Sequence, residues 1–301
     1  HLSIRRQRQM CIRDSTYIVM GYPRKIGQNI FNSAGVLHNN EVVLEYHKQE
    51  LPNYEVFDEK RYFSPGKGPG IFKIGDLKLA LTVCEDIWHT KAVRQASRRG
   101  ADLILNLNAS PFHLNKLKER KELISSHSQK YKLPIIYVNQ VGGQDELVFD
   151  GTSMIMDKNG QQVVQLKKFE SDTRIVKFKK ACESALDTLD SDTIQEENEL
   201  DDVYKALVLG AKDYIEKNGF PGVLIGSSGG IDSALTAAIA ADAIGPNRVK
   251  TYMMPFKFTS DISVHDAEEL AKNLKIEHHV LPIKDIYNSF YSTLEKEFTN
   301  K

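Results

Sequence analysis

In the first half of the chain, apolar residues fall in short runs of strand length, each closed by a turn signal. Residues 16–22 (TYIVMGY) open the series as an apolar strand. Residues 31–37 and 42–46 flank Asn39-Asn40, a pair that tolerates the positive φ of a tight hairpin. Residues 70–74 (GIFKI) and 77–84 (LKLALTVC) flank Gly75-Asp76 in the same way. A helix is expected over 87–99, closed by Gly100. Then come a buried-type strand at 102–108, a charged helix over 114–131, a strand at 134–139, and a hairpin of 153–156 with 161–166 across the turn DKNG. Hairpins alternating with single helices predict a layered α/β sandwich.

The period then changes. Residues 183–202 carry nine acidic and no basic residues, too little apolar surface to offset ordering entropy, which predicts a linker placed at 181–199. Beyond it, strand and helix alternate: helix 200–217, strand GVLIG, an Ala-rich helix IDSALTAAIAADAI, strand VKTYMMP, helix 263–274, strand EHHVLPI and a final amphipathic helix. That order predicts a parallel, doubly wound sheet of which three strands form a part. The expected division is 16–180 and 200–301, with both domains incomplete.

Charge narrows the partners. With 40 basic and 40 acidic residues there is no electrostatic case for nucleic acid or an anionic membrane. No run approaches about 18 consecutive apolar residues, so no membrane-spanning helix is expected. Residues 1–15 hold four Arg and one Asp, and RRQRQMCIRDS resembles a translated library adapter; they are set apart as a non-native scar. A basic arm for nucleic acid is the alternative. Cys11, Cys84 and Cys182 lack CxxC spacing, which argues against a zinc site or disulfide framework and fits a reducing cytoplasm.

The most specific string is GSSGGIDS, residues 226–233, between a strand and a helix. Backbone N–H groups and the positive helix end make an anion site there. Gly229 and Gly230 permit close backbone approach, and Ser228 and Ser233 add hydroxyls. Asp232 opposes a bare phosphate unless a cation shields it, which suggests Mg²⁺ carried on a polyphosphate. The string is neither GxxxxGK[ST] nor GxGxxG. A plain glycine-rich strand-to-helix turn is the other reading.

SGGxDS resembles the loop of the ATP pyrophosphatase superfamily. The flanking YKALVLGAKDYIEKNGF and YMMPFKFTSDISVHDAEELAKNLKI look like the NAD synthetase family. The resemblance implies an adenine nucleotide alpha hydrolase-like domain. Gly226, Ser227, Ser228, Gly229, Gly230, Ile231, Asp232 and Ser233 would bind the ATP phosphates, Asp232 would take Mg²⁺, and Met254, Thr259 and Ser260 would line the nucleotide site. Phe256-Lys257-Phe258 and Ser227 depart from the family pattern.

Cys84 ends an apolar strand before Glu85-Asp86 and the expected helix start, where a positive helix end would favour thiolate. Alone, it reads as core packing. With HKQELPNY, DEKRYFSPG and NLNASPF it resembles the nitrilase superfamily, specifically the glutaminase half of glutamine-dependent NAD synthetases, with an αββα sandwich. That resemblance makes Cys84 the nucleophile, Lys48 the oxyanion donor and Glu59 the supporting carboxylate. Tyr54, Glu85, Ser110 and Lys116 would hold glutamine. The family's general-base Glu lies on an earlier strand. Glu41 and Glu45 do not match it, and a missing base typically costs about 10² to 10⁴-fold in rate.

Together the two halves imply ATP-driven adenylation of deamido-NAD and amidation with ammonia from glutamine, in an enzyme that is a homo-oligomer when intact. GMP- or asparagine-type amidotransferases, a lone nitrilase-type amidase, and a fragment that binds ATP without turnover are the rivals. His278-His279 alternate across a strand and predict no metal pair. Cys182 is expected to be inert.

Overall fold

The alternating runs of the first half become two sheets. The computed structural model describes residues 16–180, 186–191 and 198–298; residues 1–15 and Cys182 lie outside the described residues. The chain divides into two units, His1–Val141 with Phe149–Glu197, and Gly142–Val148 with Asn198–Lys301.

In the first unit, β1 (Ile18–Ile26), β2 (Asn29–His38) and β3 (Glu41–His47) form an antiparallel sheet. Asn39 and Asn40 turn its second hairpin with φ of 50° and 60°, the conformation for which asparagine is suited. A short helix α1 (Glu59–Tyr62) precedes the hairpin of β4 (Gly70–Ile74) and β5 (Leu77–Val83). Next come α2 (Thr90–Arg98), β6 (Leu103–Asn108), α3 (Lys116–Tyr131) and β7 (Ile135–Asn139). A hairpin of β8 (Val141–Gln144) and β9 (Leu147–Asp150), of which Gly142–Val148 is assigned to the second unit, leads to β10 (Met154–Met156) and β11 (Gln162–Gln165). The larger sheet runs β11-β10-β7-β6-β5-β4, with β5, β6 and β7 parallel.

β5 is buried on both faces. Leu79, Leu81 and Val83 pack with Ala34, Val36 and Tyr46 of the smaller sheet, while Ala80 faces Val93, Ala96 and Ile124 of α2 and α3. The described layers are therefore helices, six-stranded sheet and three-stranded sheet, in agreement with the predicted α/β sandwich.

Two expectations need correction. The helix predicted from residue 87 is split into a five-residue 3-10 turn, Cys84–Trp88, and α2 from Thr90. His89, with φ −111° and ψ 143°, is extended and interrupts it. The acidic stretch is not all linker: β12 (Phe178–Lys180) pairs with β13 (Leu186–Thr188), and Leu186 is 3% exposed against the core between the sheets. One well-placed leucine outweighs the flanking charge.

In the second unit, Asn198 caps α4 (Glu199–Lys217) by accepting from Asp201 N–H. β14 (Val223–Gly226), α5 (Ile231–Ile244), β15 (Val249–Met253), α6 (Asp261–Leu274) and β16 (Glu277–Val280) alternate as predicted, followed by α7 (Lys284–Phe298). The strands are parallel in the order β14-β15-β16. Ala237, Ala240 and Ala241 of α5 and Ala271 of α6 pack on Val249, Val223 and Ile225. The segment Gly142–Val148, which sequence periodicity does not assign here, groups with α4. Gly143 N–H donates to Asp213 Oδ2 at 2.8 Å, and a Cβ on Gly210 would meet Val148 at 3.0 Å.

The buried Leu186 yields a direct test. Leu186→Ala is expected to cost about 2–5 kcal/mol, as for a large-to-small core change. Denaturant melts followed by tryptophan fluorescence measure it; a change within about 0.5 kcal/mol would return this stretch to the role of solvated spacer.

Candidate active site

The parallel register sets Val83 opposite Leu107 and Asn108 opposite Asn139, so the carboxyl ends of β5, β6 and β7 share one edge. Open α/β sheets carry their chemistry at that edge. Cys84 follows β5, Ser110 follows β6, Asn139 ends β7, and Lys48 follows β3. Cys84 is partly buried at φ 45°, a left-handed conformation that costs a side-chain-bearing residue about 1–2 kcal/mol.

Lys48 is 1% exposed, and its Nζ donates to Glu59 Oε1 at 2.7 Å. Its backbone is fixed at both ends: its N–H donates to Asn32 O at 2.8 Å and its carbonyl accepts from Gly66 N–H at 2.7 Å. Gly66 is required there, since a Cβ would lie 2.0 Å from His47 O. Burial pushes the Cys84 thiol up from its ordinary range, the Lys48 charge pulls it down, and Glu59, Glu85 and Asp86 push it up again. The net direction is upward. This overturns the expected thiolate bias of a helix end, because a 3-10 turn of five residues presents little dipole and desolvation wins.

Tyr54 OH donates to Glu85 Oε2 at 3.0 Å, and His89 Nε2 lies 3.4 Å from Glu85 Oε1. Burial first, then Glu85, raises the Tyr54 phenol. Tyr54, Glu85, Gln49, Glu50 and His89 line a cleft of about 520 Å³. Lys116 instead lies 4.1 Å over the Trp88 ring, at the end of the Cys84 turn, and 3.4 Å from Glu119. Glu45 is engaged by Tyr22 OH at 2.7 Å and Arg24 at 3.3 Å.

Ser110 is buried, and its hydroxyl accepts from Arg120 Nε at 3.2 Å and Nη2 at 3.1 Å. Arg120 is 1% exposed; its Nη1 donates to both Asp150 oxygens at 2.8 and 2.9 Å, and its Nη2 to the carbonyls of Ser110 and Pro111. Asn139 Oδ1 accepts from Ser110 N–H at 2.9 Å. Sequence reasoning found Ser110 but missed Arg120, Asp150 and Asn139, which fix it. A signal existed: Arg120, Ile124, His127 and Ser128 are all buried and follow an i, i+4, i+7, i+8 stripe on α3.

In the second unit the GSSGGIDS loop bends between β14 and α5, as expected. Gly229 sits at φ 76°, and a Cβ there would lie 2.2 Å from Ser263 O, so only glycine fits. Gly230 is the N-cap of α5 without a side-chain bond to the helix, which leaves first-turn N–H groups for a ligand. Ser228 and Ser233 brace the loop: Ser233 Oγ donates to Gly230 O at 2.9 Å and lies 3.1 Å from Ser228 Oγ. Ile231 and Asp232 are exposed in the first turn.

Ser227 departs from its expected role, being 5% exposed with its N–H committed to Tyr252 O at 2.9 Å. Met254 lies beside Gly226, its Cε 3.5 Å from where a Cβ would stand. Thr259 Oγ1 accepts from Phe256 N–H at 3.0 Å, and Ser260 caps α6 through Ser263 N–H at 3.2 Å, so both hydroxyls shape the backbone. His278 Nδ1 pairs with Thr251 Oγ1 at 2.9 Å and His279 Nε2 with Glu277 at 2.6 Å. Among the described residues no three His, Cys, Asp or Glu converge as a metal site. A single exposed Asp232 fits a cation that would arrive on a polyphosphate better than one held by the protein alone.

Comparisons with known proteins follow the same division. The carbon-nitrogen hydrolase family model matches residues 3–185 and the NAD synthase model residues 203–301. The chain is 41% identical over 278 residues to a glutamine-dependent NAD(+) synthetase of Acinetobacter baylyi, covering 90% of this chain and 49% of that protein. It is 40% identical over 298 residues to one of Aquifex aeolicus, covering 89% and 53%. A solved glutamine-dependent NAD+ synthetase from Acinetobacter baumannii in complex with adenosine diphosphate superposes with a TM-score of 0.92 at 39% identity, over 100% of this chain and 57% of that one. The chain thus spans about half the length of the curated relatives it matches. On a match that takes in well over half of its residues, the chain belongs to the carbon-nitrogen hydrolase family, with an NAD synthase segment following from residue 203.

Proposed function

We propose that this chain serves glutamine-dependent NAD synthesis, its first unit acting on the glutamine side-chain amide and its second holding Mg-ATP for adenylation of deamido-NAD. The observation that supports this best is a sealed Lys48–Glu59 pair acting on the Cys84 thiol, in the same chain as a glycine-shaped phosphate loop.

In this reading Cys84 Sγ attacks the amide carbon, forming a glutamyl thioester and releasing ammonia. A thiol raised by burial is mostly protonated at neutral pH, so its proton passes to the departing nitrogen, which leaves as ammonia, and water then hydrolyses the thioester to glutamate and the free thiol. Lys48 offers a fixed positive charge to the developing oxyanion, in a site where water does not screen it. Glu59 keeps that charge in place. Tyr54 and Glu85 present polar groups to the cleft for the amino-acid end of glutamine. Arg120 holds Ser110 just beyond the carboxyl end of β6.

In the second unit the first turn of α5 and the N–H groups of the 226–233 loop would cradle the ATP phosphates, and Met254 would flank the nucleotide. Asp232 would hold Mg²⁺, which would supply charge neutralisation on the phosphates. Attack of the deamido-NAD carboxylate on the α-phosphate releases pyrophosphate, and ammonia then displaces AMP. The same reading takes small molecules as partners, the cytoplasm as location and a homo-oligomer as working form.

Two measurements test it. A diazo-ketone analogue of glutamine is expected to label Cys84, as read by mass spectrometry, with labelling lost in Cys84→Ser. Because the thiol is raised, labelling should keep accelerating above the pH at which an ordinary thiol, with a pKa of about 8.5, levels off. Labelling at other sites, or a rate that plateaus near neutrality, would refute the first half. For the second, Asp232→Asn should weaken Mg-ATP binding about tenfold in calorimetry, the effect of losing one charge-assisted contact. Gly229→Ala should abolish it. Unchanged affinity in both would leave only an amidase.

A further inference from the structure

Asp86 lies in the Cys84 turn, is 0% exposed, and has no part in the chemistry above. Its carboxylate is surrounded by four donors. Oδ1 accepts from Gln49 N–H at 3.0 Å and Glu50 N–H at 2.9 Å. Oδ2 accepts from Val83 N–H at 3.0 Å and Tyr46 OH at 2.8 Å. Tyr46 in turn accepts from Gln49 Nε2 at 3.2 Å, so its proton points at Asp86. The same amide reaches Gly68 O at 3.1 Å and Gln95 Oε1 at 2.9 Å. Burial pushes the Asp86 carboxyl up, and the four donors pull it back only in part, so the net direction is upward. Every contact suits a carboxylate; none leaves room for its proton.

These bonds tie two segments together. Residues 46–50 carry Lys48, and residues 83–86 carry Cys84. One carboxylate oxygen holds the backbone immediately after the lysine; the other holds the residue immediately before the cysteine. Resting on the reading in which Lys48 acts on Cys84, we propose that Asp86 is the positioning residue that sets the Lys48 ammonium against the Cys84 sulfur. The four donors form one clamp across both segments, whereas the Lys48–Glu59 pair ties the lysine to α1, which belongs to neither.

The proposal can be separated from direct electrostatics by sign. Groups acting on the Cys84 thiol are Lys48, Glu59, Glu85 and Asp86, with Tyr54 and Tyr137 also feeling its charge. A negative Asp86 by itself raises the thiol, so removing its charge should lower the thiol pKa and speed alkylation. Loosening the clamp should do the opposite, by withdrawing the Lys48 charge.

The test is the pH profile of iodoacetamide alkylation at Cys84, read by peptide mass spectrometry, in the full chain. Asp86→Asn keeps the shape but turns a donor toward backbone N–H groups. It is expected to slow alkylation near neutral pH about threefold to tenfold, shifting the profile upward, with each tenfold equal to one pKa unit. Tyr46→Phe, which keeps the charge and removes one donor, should shift it the same way by less. In a Lys48→Met background Asp86→Asn should lose this effect or reverse it, since coupled groups are non-additive. A faster rate in Asp86→Asn alone, or an equal slowing with and without Lys48, would overturn the proposal. If Lys48→Met itself leaves the profile unmoved, the underlying reading fails instead. Should Asp86→Asn not fold, the Tyr46→Phe and Lys48→Met pair carries the same comparison.

Discussion

An ammonium sealed from water sets the arrangement of the first unit. Lys48 has a side chain with no exposed surface and one carboxylate partner, Glu59, itself mostly covered. Desolvating such a charge costs several kcal/mol, and removing its partner typically costs about 3–5 kcal/mol. A fold pays that only where geometry is otherwise over-determined, and here it is: Asn32 and Gly66 hold the lysine's own backbone. Asp86 holds the next two residues. The result is a positive charge that cannot swing away, aimed at a thiol that burial keeps protonated.

The second unit solves the opposite problem. Its ligand would bring the charge, so the protein supplies neutral donors and little else. The loop's hydroxyls are spent on its own shape, Gly229 admits the backbone of residue 263 at a distance no side chain would allow, and α5 starts without a side-chain cap. In the proposed reading this uncapped turn would receive a polyphosphate and the cation travelling with it. Among the described residues no cluster of three His, Cys, Asp or Glu stands ready to hold a metal ion by itself.

Much of this was legible in the residues. Period-two runs with Asn-Asn or Gly-Asp between them gave the hairpins, and strand–loop–helix order placed the phosphate loop, because local turn chemistry decides both. What escaped depended on tertiary contact. Arg120 sits in KLKERKEL, where composition suggests a solvated face; only its spacing with Ile124 and Ser128 marks it as inward. Leu186 lies in an acidic stretch whose average composition conceals one buried residue. The break at His89 follows from a turn geometry with no sequence signature, and the burial that raises the Cys84 thiol is a property of the folded surroundings alone. Ser227, read as a ligand contact from its place in a motif, extends the sheet instead.

The central claim is that a buried lysine, held in place by the fold, governs the cysteine's proton. The NMR shift of the Cys84 β-carbon, followed through a pH titration of the native chain and of Lys48→Met, tests it most directly. The account predicts a titration above the ordinary thiol range in the native chain and a further upward displacement in the variant. A midpoint at or below the ordinary range, or one that does not move when the lysine is removed, would contradict it.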